Sequence, residues 1–472
     1  MFTSSYLILV AICGAAQALP EVRHKHLARA AATIDVDVNT KYQKIDGFGF
    51  SEAFRKANNI KNLPTKEREE VLDLLFNTTT GAGLSMLRIG LGSAPNSQNG
   101  AMNAIQPVDP GGPDATPKYV WDGDDSGQVA VAKWAYERGV REFYANPWSA
   151  PGYMKTTGND VGGGYLCGVP DQVCSSGDWR KAFANYLAQY VKFYKQEGIP
   201  ITHLGFLNEP EFAPKYAGMM SNAAQAASFI KILAPAMKAQ GLSSVGLTCC
   251  DSMGWDAQAK MTAELKTAGA ADLLSRITGH AYSSACDDKI PTSLPTWMTE
   301  YADLKGPWTT EWYNNGAKGE GMYWANALHV ALTKAQVSAY LYWIGVEGGK
   351  VNTKLIQVTG ETYEVSTRLW AFAGFARAAR PGAFRVATTT SSKLLTSAYL
   401  NPDGTLGVVV LNEDAADTEA TVSLGAFKGR SVTAFVTDKT RTGASLNAKL
   451  SGSTVSGSIP GRSLVTFLVS GS

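Results

Sequence analysis

Eight short apolar runs alternate with longer stretches of mixed polarity between residues 44 and 345, and this repetition restricts the possible folds more than any other feature. Each run has the length of a β-strand, and the runs cover residues 45–50, 85–91, 142–148, 202–207, 244–249, 277–282, 296–300 and 339–344. Their mean spacing of roughly 40 residues is typical of repeated β/α units. Eight units predict an α/β protein built on a (β/α)₈ TIM barrel. An open, doubly wound sheet is the alternative that the spacing alone leaves open.

Two of the intervening stretches show the periodicity of a surface helix. In residues 179–197 an apolar stripe recurs every three or four positions and consists of Phe183, Tyr186, Leu187, Tyr190, Val191 and Tyr194. Gly198 follows this stripe and predicts the end of the helix. A second helix is predicted over residues 66–76, with an inward face of Val71, Leu72, Leu75 and Phe76. One apolar face on each helix is what packing on the outside of a sheet requires.

The character of the sequence changes after Pro381. From there on it is poor in helical periodicity and rich in Val, Thr, Ser and Gly, with strand-like runs at 394–400, 406–411, 418–424, 431–437 and 463–470. The first two runs flank Asn401-Pro402-Asp403-Gly404, a strong turn signal. We therefore predict a barrel over residues 44–381 and an all-β sandwich module over 382–472. Residues 33–38 alternate with period two, so we expect the N-terminal strand, residues 32–43, to complete that module.

The N-terminus has the features of a secretory signal peptide. An apolar run ends at Ala16-Gln17-Ala18, a typical cleavage pattern, which predicts a signal peptide over residues 1–18. Residues 19–31 are expected to be a pro-segment or a flexible N-terminus. No other segment has 18 consecutive apolar residues, so we predict a secreted, extracellular protein without a membrane span. The sequon Asn77-Thr78-Thr79 is consistent with a secreted glycoprotein.

Five cysteines remain once Cys13 leaves with the signal peptide. Cys167 and Cys174 flank a loop that contains Gly and Pro, so they are predicted to form a local disulfide. The other three are Cys249, Cys250 and Cys286. A bond from Cys286 to either of the adjacent cysteines would leave one free thiol, and the sequence does not choose between them.

Charge and ligand patterns exclude several classes of function. Lys and Arg number 43 and Asp and Glu 41, so the net charge is +2, which argues against a polybasic nucleic-acid binder. His203, His280 and His329 are scattered without a paired ligand motif, and we predict neither a metal site nor a cofactor. The 11 Trp, 19 Tyr and 17 Phe residues fit a large core, and some of them fit a groove for sugar rings.

Two glutamates stand at the ends of predicted barrel strands. Glu209 follows the fourth strand and Glu300 ends the seventh, which places them across the mouth of a barrel, where barrel enzymes carry their chemistry. Cleavage of a glycosidic bond needs such a pair, one carboxyl group protonated to assist the leaving oxygen and one ionised. A separation of about 5 Å would give retention and a wider one inversion. Asn208 lies beside Glu209, where it can bond a substrate hydroxyl.

Several segments together resemble a known enzyme family. Asn208-Glu209-Pro210 with Glu300 resembles the large clan of retaining barrel glycosidases. Three further segments are similar to glycoside hydrolase family 30, namely residues 45–49, residues 146–155 and Trp297-Met298-Thr299-Glu300-Tyr301. Three others resemble its fungal xylanase branch, subfamily 7, namely Ser51-Glu52-Ala53-Phe54, Cys249-Cys250-Asp251 and residues 363–372. The resemblance extends over residues 32–470.

This resemblance implies roles for individual residues. It implies Glu209 as the acid/base and Glu300 as the nucleophile, with Arg88 hydrogen-bonded to the nucleophile to keep it ionised. The implied walls of the sugar-binding subsite at the cleavage point are aromatic and consist of Trp148, Tyr282 and Trp343. The implied protein is a monomeric, retaining endo-β-1,4-xylanase whose partner is xylan or glucuronoxylan.

Selection for glucuronate side chains would need a cation near the second sugar subsite. Arg55, directly after Ser51-Glu52-Ala53-Phe54, is the candidate, and Glu52 is a candidate substrate contact beside it. Glu311 imitates a nucleophile motif, but Gly306 and Pro307 precede it and predict a loop, so Glu300 is preferred.

Other functions stay open at this point. The same family includes β-1,6-glucanases, β-1,6-galactanases and glucosylceramidases, which share the mechanism and differ in the sugar. A catalytically dead, wall-binding protein on the same barrel is the alternative outside enzymes. Endo or exo action depends on the loops around the cleft, especially residues 93–103, whose shape the sequence does not determine.

Overall fold

Eight parallel strands close into a barrel, as the repetition predicts. The computed structural model describes Met1, residues 31–98 and residues 101–471. The first strand, β1 (Ala32–Lys44), belongs to the β-module described below. The barrel strands are β2 (Gly47–Ser51), β3 (Met86–Leu91), β4 (Glu142–Pro147), β5 (His203–Leu204), β6 (Gly246–Ser252), β7 (Arg276–His280), β8 (Thr296–Glu300) and β9 (Ala339–Glu347). Pairing of β9 with both β8 and β2 closes the ring and excludes the open sheet.

Three barrel strands end three residues away from their predicted ends, namely β5, β6 and β9, the last of which ends at Glu347 instead of residue 344. β5 has two residues instead of six, because the chain turns away from the ladder at Gly205, where a side chain would collide with Asn146. β6 continues three residues beyond its predicted end at Cys249. This extension brings Asp251 to the mouth of the barrel.

Helices cover most of the outer surface of the barrel. They are α1 (Ala57–Lys61), α2 (Thr65–Phe76), α3 (Gln128–Glu137), α4 (Arg180–Gln196), α5 (Ala223–Ala239), α6 (Trp255–Thr267), α7 (Gly321–Val330) and α8 (Thr367–Ala378). The two predicted helices correspond to α2 and α4, and their apolar stripes are buried as expected. Between β7 and β8 the described segment 281–295 forms a loop without a helix, so this one β/α unit is incomplete. A hairpin of β10 (Lys354–Thr359) and β11 (Thr362–Val365) precedes α8.

The C-terminal region forms a separate ten-stranded sheet that includes β1. Its other strands are β12 (Phe384–Thr390), β13 (Leu395–Leu400), β14 (Leu406–Asn412), β15 (Thr418–Ser423), β16 (Gly429–Thr437), β17 (Ala444–Leu446), β18 (Lys449–Ser451), β19 (Thr454–Ile459) and β20 (Ser463–Gly471). The sheet encloses one apolar core, to which nearly all of these strands contribute. β1 lies near its centre, antiparallel to β12 and parallel to β15. The N-terminal strand therefore completes the sandwich, as predicted.

The cysteine pairing is partly as predicted. The disulfide between Cys167 and Cys174 is confirmed. The predicted bond of Cys286 to one of the adjacent cysteines is wrong. Cys249 and Cys250 bond to each other, and Cys286 is a buried free thiol among the described cysteines. The sequence analysis considered Cys249 and Cys250 as alternative partners of Cys286. In the structure they are partners of each other, so neither is available to Cys286.

Some expectations concern residues that the structure does not describe. The predicted signal peptide (residues 1–18, apart from Met1) and the predicted N-terminal segment (19–31, apart from Ala31) lie outside the described residues. Of the helices in the described ranges, none combines the length and the apolar character that a membrane span requires.

The buried face of β1 generates a stability prediction. Ile34 is fully buried in the module core between two neighbouring strands, whereas Asp35 faces solvent. We expect Ile34→Ala to lower the free energy of unfolding by about 2–5 kcal/mol, because it removes buried methyl groups and leaves a cavity. Asp35→Ala is the matched control and should stay within about 0.5 kcal/mol of wild type. Urea unfolding measures both, and equal effects would contradict the assigned role of β1.

Candidate active site

The carboxyl ends of five barrel strands bring charged side chains together. Arg88 lies on β3, Asp251 on β6, His280 ends β7 and Glu300 ends β8, while Glu209 follows shortly after β5. Each of these residues is at most 6% exposed. Buried charges of this number are tolerated only when they neutralise one another. The group therefore has to be understood as one network.

Arg88 is the centre of this network. Its Nη1 donates to Oε2 of Glu300, and its Nη2 donates to Oδ2 of Asp251 at 2.8 Å and to Oδ1 of Asn208 at 2.6 Å. The guanidinium carbon also lies 4.5 Å from the centre of the Trp148 ring. The predicted bond between Arg88 and the nucleophile is therefore present. The planar, permanently charged group bonds three different loops or strands at once.

Asp251 is a functional residue that the sequence analysis did not assign. Besides Arg88, its carboxylate accepts from Tyr144 Oη at 2.8 Å, Asn146 Nδ2 at 2.9 Å and Thr299 Oγ1 at 2.7 Å. Burial opposes its ionisation, but Arg88 and His280 outweigh burial and hold the pKa of Asp251 well below its usual range. The carboxylate is therefore a permanent anion that holds Arg88 in place.

The two predicted catalytic glutamates lie close together. A carboxylate oxygen of Glu209, one of Glu300 and a ring nitrogen of His280 all lie within 4.8 Å of one another. Such a spacing would also suit a cation, but His280 Nδ1 already lies 3.0 Å from Glu209 Oε1, and Glu300 bonds Arg88. His280 Nδ1 and both glutamates thus already have partners among the described residues. The separation matches the close pairs of retaining glycosidases and is too small for the water that an inverting pair admits.

The protonation of these groups follows from burial and charge. Burial raises the pKa of Glu300 above its ordinary value, and the nearby Glu209 adds to this, while His280 and Arg88 act in the opposite direction. Burial alone would lower the pKa of His280, but Glu300, Asp251 and Glu209 raise it to about 9. The imidazole is therefore a cation at neutral pH and donates to Glu209. Two carboxylates at this distance repel when both are ionised, which is how Glu209 contributes to the raised pKa of Glu300.

Aromatic rings surround the carboxylates. Tyr282 Oη donates to Glu300 Oε1 at 2.9 Å, so this predicted wall residue also holds the Glu300 carboxylate. The rings of Trp148 and Trp343 lie 5.8 Å apart, and Phe54 packs edge-on against both. Trp148 is only 2% exposed, so it mainly supports Arg88, whereas Trp343 is partly exposed. The structure therefore brings the predicted aromatic residues together at the barrel mouth.

The remaining predicted contacts have different outcomes. Asn208 bonds Arg88 through its carbonyl oxygen, which leaves its NH₂ group as the donor for a sugar hydroxyl. Arg55 follows Phe54 in a left-handed turn, and its Nη1 donates to the carbonyl of Ser97 at 2.9 Å. This places Arg55 at the edge of the aromatic wall, without contact to the two catalytic carboxylates. Glu311 lies in an exposed loop, as predicted.

Glu52 is not a substrate contact, contrary to the prediction. The residue is 1% exposed and lies near Asp125, whose carboxylate accepts from Tyr190 and Tyr194 of α4. Burial raises the pKa of Glu52 well above its ordinary value, and Asp125 adds to the effect. Because the chain leaves β2 at this point, the side chain turns into the layer between barrel and helices.

Sequence reasoning missed four further residues that surround the site. Asp251 was missed because the predicted strand ended at Cys249, and His280 lay within the predicted strand over residues 277–282 without receiving a role. Phe54 lies in the aromatic wall. Tyr216 packs against Phe54, and burial together with Glu209 and Glu300 raises its pKa. Reading each strand two residues further would have found Asp251. Tyr216 lies in a long loop that carries no comparable signal.

Comparison with family models gives two matches that together span most of the chain. Residues 31–277 match the model of O-glycosyl hydrolase family 30, and residues 382–467 match the model of the glycosyl hydrolase family 30 beta sandwich domain. The second match begins at residue 382, where the chain passes from the barrel to the C-terminal strands of the β-module.

Individual relatives differ in the sugar that their names state. The catalytic domain of GH30 xylanase C from Talaromyces cellulolyticus is 44% identical, with a TM-score of 0.88, covering 93% of this chain and all of that one. Endo-1,6-beta-D-glucanase BGN16.3 of Trichoderma harzianum is 27% identical over 80% of this chain and 79% of its own length. Putative glucosylceramidase 1 of Caenorhabditis elegans is 25% identical over 82% and 77%, respectively.

Asp251 generates a prediction about both activity and stability. Asp251→Asn removes the anion beside Arg88, so we expect the free energy of unfolding to fall by about 3–5 kcal/mol, the usual cost of breaking a buried ion pair. We expect kcat to fall about 10²-fold, because Arg88 and Glu300 lose their fixed positions. Urea unfolding and glycosidase kinetics measure the two effects.

Asp46→Asn is the matched control for this prediction. Asp46 accepts from Arg276 at 2.8 Å, just before β2 begins and therefore at the opposite end of the barrel. We expect this variant to keep the kcat of wild type. A wild-type kcat in Asp251→Asn would show that Asp251 does not position the site.

Proposed function

Because the chain belongs to glycoside hydrolase family 30, we propose that it is a retaining endo-β-1,4-xylanase of the fungal xylanase branch, subfamily 7. The observation that carries the mechanism is the pair Glu209 and Glu300, with carboxylate oxygens within 4.8 Å of each other at the barrel mouth. The choice of xylan is supported by the 44% identity to a family 30 xylanase over the whole of that catalytic domain.

The first step of the proposed reaction forms a glycosyl-enzyme. An oxygen of Glu300 attacks the anomeric carbon, and Glu209 gives its proton to the departing glycosidic oxygen. Arg88 and Tyr282 each bond one oxygen of Glu300, so they hold the carboxylate at the sugar. The positive charge of His280 stabilises Glu209 once that carboxyl group has lost its proton.

The second step releases the sugar. Glu209, now ionised, takes a proton from water, and the resulting hydroxide attacks the anomeric carbon while Glu300 departs as a carboxylate. Arg88 and His280 are cations in both steps, so they stabilise each carboxylate whenever it is free. Two inversions at one carbon give net retention of configuration.

Features outside the catalytic pair support a neutral polysaccharide as the substrate. The partly exposed rings of Trp343, Phe54 and Tyr216 offer faces for sugar C–H groups. Among the described residues of the site, Arg88 pairs with Asp251 and Glu300, and His280 lies beside Glu209, so these charges largely compensate one another. The predicted signal peptide and the disulfide Cys167–Cys174 support the proposal that the enzyme is secreted and acts outside the cell.

A β-1,6-glucanase is the second candidate. It is favoured by the 27% identity to an endo-1,6-glucanase over 80% of this chain. The mechanism would be the same, because the carboxylate pair does not select the sugar. A dead, wall-binding protein is disfavoured, because both glutamates are present and lie at a reactive distance.

The mechanism predicts different effects for the two glutamates. We expect Glu300→Gln to reduce hydrolysis by at least about 10³-fold, because an amide cannot form the glycosyl-enzyme. With an aryl xylobioside, whose leaving group needs no proton, Glu209→Gln should still release one equivalent of phenol in a burst and then stall. Glu300→Gln should show no burst. Full activity of Glu300→Gln, or inversion at the released anomeric centre in the NMR spectrum, would refute the mechanism.

The substrate is tested by comparing three polysaccharides. We expect reducing sugars from glucuronoxylan and from debranched xylan, and none from β-1,6-glucan. Activity on β-1,6-glucan alone would replace xylan by glucan as the substrate. If glucuronoxylan products carry the uronate at one fixed position, Arg55→Ala should weaken that preference about tenfold, since an Arg–carboxylate pair is lost. An unchanged product profile would exclude Arg55 from this role.

A further inference from the structure

The incomplete β/α unit leaves a cavity beside the catalytic wall. Because the described segment 281–295 forms a loop and no helix, the barrel surface between β7 and β8 is covered by this loop instead of a helix. A cavity of about 600 Å³ occupies this place, between that loop, helix α7 and the β-module. Its size lies within the range of small-molecule binding sites. We call it the tyrosine cavity, after Tyr301, Tyr313 and Tyr323 in its wall.

The tyrosine cavity is separate from the cleft but shares a wall with it. Tyr301 directly follows the nucleophile Glu300 in the chain and faces the cavity. Its ring lies edge-on to Tyr282, with 5.7 Å between ring centres, and Tyr282 is the residue that bonds Glu300. Neither Glu209 nor Glu300 lines the cavity. A ligand there would therefore occupy a second site without blocking the first.

The wall combines ring faces with planar polar groups. The hydroxyls of Tyr301 and Tyr323 share a hydrogen bond of 2.8 Å. The guanidinium of Arg462, from the β-module, lies 4.4 Å from the centre of the Tyr313 ring. Asn326 on α7 donates to Glu413 of the β-module at 2.5 Å. Aromatic faces flanked by amides and carboxylates are suited to the C–H faces and hydroxyls of a sugar.

The charge of the wall indicates a neutral ligand. Asp287, Glu320 and Glu413 contribute three carboxylates, against the single guanidinium of Arg462. This excess of acceptors favours hydroxyl donors and disfavours a uronate or a phosphate, which such a wall would repel.

We propose that the tyrosine cavity is a second binding site for a neutral segment of the polysaccharide that the enzyme hydrolyses. With the proposed function as the premise, this ligand is an unsubstituted xylo-oligosaccharide. Binding there holds a polymer close to the cleft and raises the local concentration of cleavable bonds. Binding in the cavity is therefore expected to favour hydrolysis of polymeric substrates and to leave the hydrolysis of short oligosaccharides unchanged.

Calorimetric titration tests the number of sites. The full chain carrying Glu300→Gln is titrated with xylotetraose, since it does not turn the ligand over. We expect two sites in this parent and one site after adding Tyr313→Ala or, in a separate variant, Asn326→Ala. The site that remains should keep its affinity within about twofold. Tyr136→Ala is the matched control, because Tyr136 also carries an arginine over its ring, Arg141 at 4.0 Å, and lies elsewhere. It should keep both sites.

Kinetics provide the second measurement. In the wild-type background, Tyr313→Ala should raise KM for insoluble xylan roughly tenfold, as expected when one ring contact is lost. Its kcat and KM for xylotetraose should match those of wild type. A single site in the Glu300→Gln parent, or two sites that survive both cavity substitutions, would overturn the proposal.

A failure of the proposed function can be told apart from a failure of the cavity. If wild type hydrolyses β-1,6-glucan and not xylan, the proposed substrate is wrong. The same titration is then repeated with a β-1,6-linked glucotetraose. Two sites in the Glu300→Gln parent and one in the cavity variants would support the tyrosine cavity as a binding site, and a single site in the parent would overturn it.

Discussion

The ion pairs of one buried guanidinium connect the fold of this protein to its chemistry. Arg88 bonds Glu300, Asp251 and Asn208, and so joins β3, β6, β8 and the end of β5. A buried cation without acceptors would be too costly, so the strands must close in the one register that supplies them. The same bonds place the nucleophile and orient the residue beside the acid. Stability of the barrel mouth and reactivity thus depend on one group.

The network keeps the catalytic carboxylates usable in spite of their burial. Three carboxylates, Glu209, Asp251 and Glu300, face two cations, Arg88 and His280, so one negative charge is in excess. Asp251 stays ionised, because Arg88 and His280 hold its pKa well below the usual range. It holds Arg88 while the other two carboxylates change state during the reaction. Asp251, a permanent anion, and Arg88, a permanent cation, therefore lie beside the two glutamates of the proposed reaction.

The two structural units contribute differently to this arrangement. The barrel supplies all residues of the catalytic network, whereas the β-module packs beside it and includes β1 from the other end of the chain. At one position the units meet over an incomplete β/α unit, where loops of the module with Glu413 and Arg462 help to enclose the tyrosine cavity. The tyrosine cavity, where this unit lacks a helix, is thus the proposed binding site between the barrel and the β-module.

Local sequence patterns were enough to predict the barrel, the β-module completed by β1, and the positions of Glu209, Glu300 and Arg88 on or just after barrel strands, because strand periodicity is visible in short segments. The distance between the glutamates, the contacts of Asp251 and His280 and the burial of Glu52 follow from the three-dimensional structure, because they depend on how strands far apart in the chain are aligned when the barrel closes. A shift of three residues at a strand end, as in β6, moves a side chain into or out of the site, and local periodicity does not resolve such a shift.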